Sequence, residues 1–285
     1  MKVEDILLTG FADEIDPMLD KQMTTLRQLG LSYLDTRGID GRGVEKYTAS
    51  EARTVRERLD AEGLKVASVA SPIGKIRITD DFAEHMEVFK RVVETAHIFG
   101  TDLIRMFSFF IPGNTEDEAY KYRDEVMDRL GAMRDYACAE NVVLLHENEK
   151  GIYGDSIDRC LDIMKNLYSD NFKAVFDFAN FVQCGQDTLK AYDVLKSYIA
   201  YVHVKDALAD GGVVTPAGRG DGHVKEILGM MYRDGYKGFL SLEPHLSLFD
   251  GFLKLENDGK LDKSMEGATA FKIAHDALMD IIKEI

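Results

Sequence analysis

The sequence predicts an α/β fold, a single (β/α)8 TIM barrel occupying residues 1–285. Three observations lead there. One pattern recurs along the chain: an amphipathic stretch of about 12 to 20 residues ends, often in glycine, and a short β-rich run follows. No second compositional block interrupts that pattern, and barrels of this kind commonly use a chain of this length for one domain. Finally, the first strand leads into TGFADEIDP, which is no GxGxxG phosphate loop, and this disfavours an open doubly wound sheet.

The elements follow in order. The first strand covers 5–10 and a helix lies near 17–29. Gly30 precedes LSYLD, which gives the strand 31–36, and Ser50-Glu51-Ala52 reads as the start of a helix over 49–62. Gly63 precedes LKVASVA, the strand 64–70. Segment 80–99 is helical, with Met86, Phe89, Val93 and Ala96 falling near one face. Gly100 precedes the strand 101–107, and Thr115-Glu116-Asp117 starts a helix over 115–139 with carboxylates near the positive end of its dipole. Asn141 precedes the strand 142–147, followed by a helix over 156–168. The remaining strands are 172–177, 199–204 and 237–243, with helices near 187–196, 223–234 and 265–283. Glycine and asparagine tolerate the left-handed conformation that ends a helix, which suits these junctions. Residues 244–264 read as a long insertion over the top of the barrel.

Composition narrows the partners. Hydrophobic residues make up 45% of the chain, enough for a large core. No apolar run approaches the roughly 18 residues that a membrane span needs. The start, MKVEDILLTGFADEID, lacks the basic and apolar regions of a signal peptide. Cys138, Cys160 and Cys184 are widely spaced and form no CxxC motif, so a reduced, cytoplasmic protein is expected. The formal charge of −15 repels phosphate backbones and anionic headgroups, so neither nucleic acid nor membrane is an expected partner.

In such a barrel the C-terminal ends of the strands face the active site. Glu147, Asp177, His203 and Glu243 each follow an apolar run, on four consecutive strands. Taken singly, an acidic residue at a strand end is most often a helix cap or surface group, and His203 between two valines is equally a core histidine. Taken together, with all four side chains converging on the axis, the three carboxylates would repel one another unless a cation joined them. That donor set suits one divalent ion, Mn²⁺ first, with Mg²⁺, Co²⁺ or Zn²⁺ as alternatives. If Glu147 faces the axis, its neighbour His146 faces the helix layer.

These motifs resemble the xylose isomerase-like TIM-barrel superfamily, in its sugar phosphate isomerase/epimerase branch. The resemblance rests on HEN at 146–148, FDFAN at 176–180, HVKD at 203–206, GRGD at 218–221 and SLEPH at 241–245, and it covers essentially the whole chain. It implies metal ligation by Glu147, Asp177, His203 and Glu243, with Glu147 and Glu243 also acting as an acid/base pair. It implies a substrate contact from Arg219; by their chemistry Lys205 is a second cationic candidate and Asn180 a hydrogen-bonding one, and Arg219 or Lys205 could equally neutralise nearby acids. The activity implied is isomerisation or epimerisation of a small sugar, sugar phosphate or keto-polyol by proton transfer through an enediolate, in a protein compatible with homo-oligomerisation. Ketose 3-epimerases of this branch often carry His where this chain has Asn180. The DNA repair enzyme endonuclease IV shares the barrel and the four-ligand framework. Its trinuclear zinc site needs further histidines, and Asp221-x-His223 is suggestive, yet Ser71, Met106 and Asn180 stand at other positions where such ligands belong. A barrel that binds a metal or sugar without turnover would be expected to lack one of the paired glutamates, and both are present.

Overall fold

Strands that are apolar on both faces must be covered on both, and here they achieve it by curling into a ring. The computed structural model describes residues 6–246 and 266–285. Its strands are β1 (Leu7–Gly10), β2 (Tyr33–Thr36), β3 (Lys65–Val69), β4 (Leu103–Met106), β5 (Val143–Glu147), β6 (Phe172–Asp177), β7 (Ile199–Val204) and β8 (Phe239–Leu242). They form one eight-stranded sheet in the order β1-β8-β7-β6-β5-β4-β3-β2. All seven pairings are parallel. A single parallel bridge, Phe11 to Asp35, brings the ends of β1 and β2 together and nearly closes the ring. The fold is the (β/α)8 TIM barrel that the sequence predicts.

The helices are α1 (Leu19–Gln28), α2 (Ala49–Ala61), α3 (Phe82–Phe99), α4 (Glu116–Lys121), α5 (Arg123–Ala139), α6 (Ile157–Leu167), α7 (Phe178–Gln183), α8 (Thr188–Leu195), α9 (Val224–Arg233) and α10 (Gly267–Glu284). On α3, Phe89, Val93 and Ala96 are buried as the periodicity predicts. Gly30, Gly63, Gly100, Asn141 and Gly235 all have positive φ at the helix-to-strand junctions. No helix among the described residues is long and apolar enough to cross a membrane.

Three local expectations change. Helix α2 is capped by Thr48, with a reciprocal capping box to Glu51, so it starts before Ser50. The single helix expected over 115–139 is two, separated at Tyr122 (φ −94°, ψ 0°). Arg123 at the start of α5 grips Asp162 of α6 with two hydrogen bonds, of 2.7 and 2.8 Å, and that fixes where α5 begins. Helix α7, absent from the sequence reading, begins directly after β6. The insertion expected over 244–264 falls almost wholly on residues 247–265, outside the described residues.

The two-residue period of a strand sorts the side chains around the site. On β5, Leu145 packs with Val175 and Tyr201 in a small interior cluster, whereas Leu144 joins the large outer core. His146 stacks on Phe172, ring centroids 6.3 Å apart, and so faces the helix layer as expected. Across the interior, Asp35 Oδ1 accepts from Tyr201 Oη at 2.6 Å and from Ser68 Oγ at 2.5 Å, and Asp35 Oδ2 accepts from Ser241 Oγ. This polar plug lies in the barrel interior, and the Tyr201 ring meets that of His203 edge-on at 5.8 Å.

Candidate metal centre and active site

Glu147 ends β5, Asp177 ends β6, His203 lies on β7 and Glu243 follows β8. All four are buried, and one ligand atom from each falls within 4.8 Å of the others. His203 Nδ1 is 2.9 Å from Glu147 Oε1, 3.6 Å from Glu243 Oε2 and 3.9 Å from Asp177 Oδ2. The two glutamates therefore divide their oxygens in the same way. One oxygen of each faces the imidazole. The other faces Arg105, whose Nη1 is 3.2 Å from Glu147 Oε2 and 3.8 Å from Glu243 Oε1.

Local structure sets each ligand. Asp177 is the N-cap of α7: its Oδ1 accepts from Asn180 N at 2.8 Å, which holds the carboxylate and leaves Oδ2 aimed at the cluster. That Oδ2 is buried and accepts no hydrogen bond, with Lys205 Nζ 3.2 Å away. Asn148 ties β5 to β6 reciprocally, donating to Asp177 O and accepting from Asp177 N, each at 3.0 Å. The Asn180 side chain donates to Glu147 Oε1 at 3.3 Å and to Asn148 O at 2.9 Å.

A divalent ion fits this arrangement. Three carboxylates and one imidazole converge, and one carboxylate oxygen is buried without a donor, a state that costs free energy in a protein interior. Lys205 supplies positive charge to the cluster, with Nζ 2.9 Å from Glu243 Oε2 as well as near Asp177. The electrostatics are uneven. Burial raises Asp177 well above the usual carboxylate range, against the pull of Lys205. Burial also acts to raise Glu147, but His203 and Arg105 outweigh it and hold the group down at about 2. For Glu243, burial is overcome by Lys205, His245 and His203, leaving it well below the ordinary value.

A second cluster adjoins the first and shares Glu243. Arg37, at the end of β2, reaches Asp13 Oδ2 at 2.8 Å, Glu14 Oε1 at 3.2 Å and Glu243 Oε1 at 3.4 Å. His245 Nε2 is 3.2 Å from Glu243 Oε1, and its backbone amide donates to Glu14 Oε2 at 2.7 Å. Burial raises Glu14 to about 8 despite Arg37, and lowers His245 to about 3. The guanidinium of Arg105 is sandwiched between the Phe11 and Phe107 rings at 5.0 and 4.9 Å.

The structure thus gathers Glu147, Asp177, His203, Glu243, Lys205 and Asn180, but not Arg219. Arg219 is exposed in the loop after β7, where its backbone amide donates to Pro216 O at 3.0 Å. Asp221 and His223 of the suggestive Asp-x-His are exposed too, and Asp221 Oδ2 is used by Ala209 N at 2.7 Å. Arg105, Arg37, Glu14 and His245 are legible in sequence as polar residues at strand ends, but without a role in the site. An arginine inside the apolar run DLIRMF was the available signal for Arg105.

The sequence model of the xylose isomerase-like TIM barrel family matches residues 24–267. The chain belongs to that family. A 3-dehydroshikimate dehydratase of Bacillus anthracis is 22% identical over 131 residues, 46% of this chain and 46% of that protein, so the match spans about half the length of either. A solved D-tagatose 3-epimerase-like protein superposes with a TM-score of 0.72 at 14% identity, over 98% of this chain and 99% of that one. The IolI protein, solved with a bound zinc atom, gives a TM-score of 0.74 at 15% identity, again over 98% and 99%. At these identities the superpositions speak to fold alone. Known members of this xylose isomerase-like family thus include enzymes, and its epimerases and dehydratase share this barrel.

Proposed function

We propose that this xylose isomerase-like barrel is a divalent-metal-dependent isomerase or epimerase of a small sugar or keto-polyol, working by proton transfer next to a carbonyl. The observation that carries the reading is the pairing of Glu147 and Glu243. They come from strands separated by β6 and β7, share His203 and Arg105, and present matching oxygens to the same small volume. Glu147, Asp177, His203 and Glu243 would hold the ion, with Mn²⁺ the first choice. When bound, the ion supplies a Lewis acid for substrate oxygens and stabilises developing negative charge.

The chain's own residues do the rest. One glutamate removes the proton next to the carbonyl and the other returns it. Return from the opposite face inverts a centre; return at the neighbouring carbon exchanges aldose and ketose. Arg105 holds the outer oxygens of both glutamates, and Asn180 fixes Glu147 from the α7 side. Lys205 stands where it can donate a hydrogen bond to a substrate oxygen once an ion takes over Asp177 and Glu243. Walls of Phe11 and Phe107 keep the charged groups out of bulk water, which strengthens their interactions.

The relative from Bacillus anthracis favours a second outcome from the same first step. Proton removal followed by loss of a β-hydroxyl is a dehydration. Incubation of the Mn²⁺-loaded protein with ketoses and aldoses in D₂O tests both. Deuterium at the carbon next to the carbonyl, with release of an isomer or epimer, supports the proposal. Formation of an unsaturated product selects dehydration, and no exchange with any sugar overturns the proposal.

A further inference from the structure

We infer that the site takes an uncharged polyhydroxy carbonyl compound, a free sugar or keto-polyol, in preference to a phosphate ester or a carboxylate. The inference rests on the proton-transfer reading above and narrows its substrate class.

The first ground is the loop after β7. In (β/α)8 barrels the loops after the seventh and eighth strands frequently aim backbone N–H groups at a substrate phosphate. This loop does aim its amides at one point, but the chain's own carboxylate occupies it. Asp206 is fully buried. Its Oδ2 accepts from Gly218 N and Gly220 N, both at 3.0 Å, and its Oδ1 from Gly222 N and Ala207 N, both at 2.9 Å. Such a concave set of amides is an anion nest. The fit is close: a Cβ on Gly220 would lie 2.5 Å from Asp206 Oδ1, and one on Gly222 2.6 Å from it. A phosphate would have to expel a tethered anion that already has four donors. The GRGD motif is therefore a structural clasp for the aspartate of HVKD.

The second ground is charge. Asp13, Glu14, Glu147, Asp177 and Glu243 face Arg37, Arg105 and Lys205 across the two joined clusters. Each of these cations is already engaged by a carboxylate of the chain. A neutral substrate needs no further cation here, whereas an anion would bring a buried charge and find each of these three cations already taken. Among the described residues, Lys75 over the Phe107 ring is taken by Glu149 at 2.9 Å, and Arg219 is exposed in the loop after β7. The third ground is the whole molecule, whose net charge of −15 slows the approach of any anion.

Two measurements test this. In D₂O with Mn²⁺, D-fructose, D-tagatose and D-xylulose are each compared with their terminal phosphate ester, and 3-dehydroshikimate is added as a carboxylate. The expected result is exchange from a free sugar with kcat/KM at least about a hundredfold above that of its ester, and no reaction of 3-dehydroshikimate. Equal or faster exchange from an ester, or turnover of 3-dehydroshikimate, overturns this inference, and ester exchange leaves the proton-transfer reading standing. Exchange from none of them overturns that reading, and the second measurement then decides this inference. Inorganic phosphate is titrated into the full chain with Mg²⁺ present, against chloride at equal ionic strength, and Tm is followed. The wild type should not respond, whereas Asp206→Ala, or Asp206→Asn if the alanine variant does not fold, should gain stability with phosphate. A rise in wild-type Tm overturns the inference.

Discussion

Glu147 Oε1 and His203 Nδ1 face each other across 2.9 Å in the mouth of the barrel, although 56 residues separate them in sequence. Register explains the meeting. Asp177 on β6 is paired directly with His203 on β7, and Glu147 is paired with Val175, two residues before Asp177. The ligands are thus staggered by two residues between β5 and β6 and again between β7 and β8, and the tilt of barrel strands brings such staggered inward positions to one height.

If Glu147 and Glu243 are the proton carriers, Glu147→Gln and Glu243→Gln should each lower deuterium exchange by about 10²–10⁴-fold. Gln keeps the shape of the side chain, so circular dichroism should be unchanged. A wild-type exchange rate in either folded variant would remove that glutamate from the acid/base role.

Lys205 lies within 3.2 Å of Asp177 Oδ2 and 2.9 Å of Glu243 Oε2, so in the proposed site it would compete with the ion. Lys205→Met should therefore bind Mn²⁺ more tightly, by about ten- to a hundredfold, while losing turnover. A unit charge at such distances is worth about 5 kcal/mol at an effective dielectric of 20, of which only a part survives compensation. Titration calorimetry reads the affinity; weaker Mn²⁺ binding in the variant would show that Lys205 supports the site and does not compete.

Gly74 has φ +86° and an added Cβ would lie 2.0 Å from Phe107 O. Gly74→Ala should cost about 3 kcal/mol or more, read as a fall in the denaturation midpoint. Because Phe107 packs on Arg105, the variant should also lose activity in the fraction that remains folded.

His85 Nε2 accepts the Gly74 amide at 2.9 Å, so the ring must be neutral to make that bond. Burial, helped by Arg129, lowers its pKa from 6.5 to about 4. The unfolded chain thus takes up the proton first as pH falls. The contribution is complete above pH 6.5 and drains away as pH drops toward 4. His85→Gln keeps an acceptor and removes the titration, so its Tm should fall less steeply with pH in that window. His146, lowered to about 4 by burial, keeps some slope in the variant. An unchanged slope would contradict the assignment.

Much of the site was legible because barrel topology converts strand ends into neighbours. Once the runs ending at Glu147, Asp177, His203 and Glu243 were read as consecutive strands, their convergence followed. The contacts of Arg37 and Arg105 were not legible in the same way, since an arginine at a strand end gives no sign of which carboxylate across the ring it meets. Arg37 reaches Glu243 over 206 residues through the closing of β1 on β8. Helix α7 was hidden because its cap, Asp177, also reads as the end of a strand. In the loop after β7 the glycines of GRGD give no sign in sequence that their amides enclose Asp206.

The central claim is that Glu147, Asp177, His203 and Glu243 hold one catalytic divalent ion. Titration of chelator-treated protein with Mn²⁺, followed by the electron paramagnetic resonance signal of the free ion, tests it most directly. The account predicts about one tight site per chain, lost in Asp177→Asn, which keeps the cap to Asn180 N and hence the fold. A folded wild type that binds no Mn²⁺, or an Asp177→Asn variant that binds it as well as the wild type, would contradict the claim.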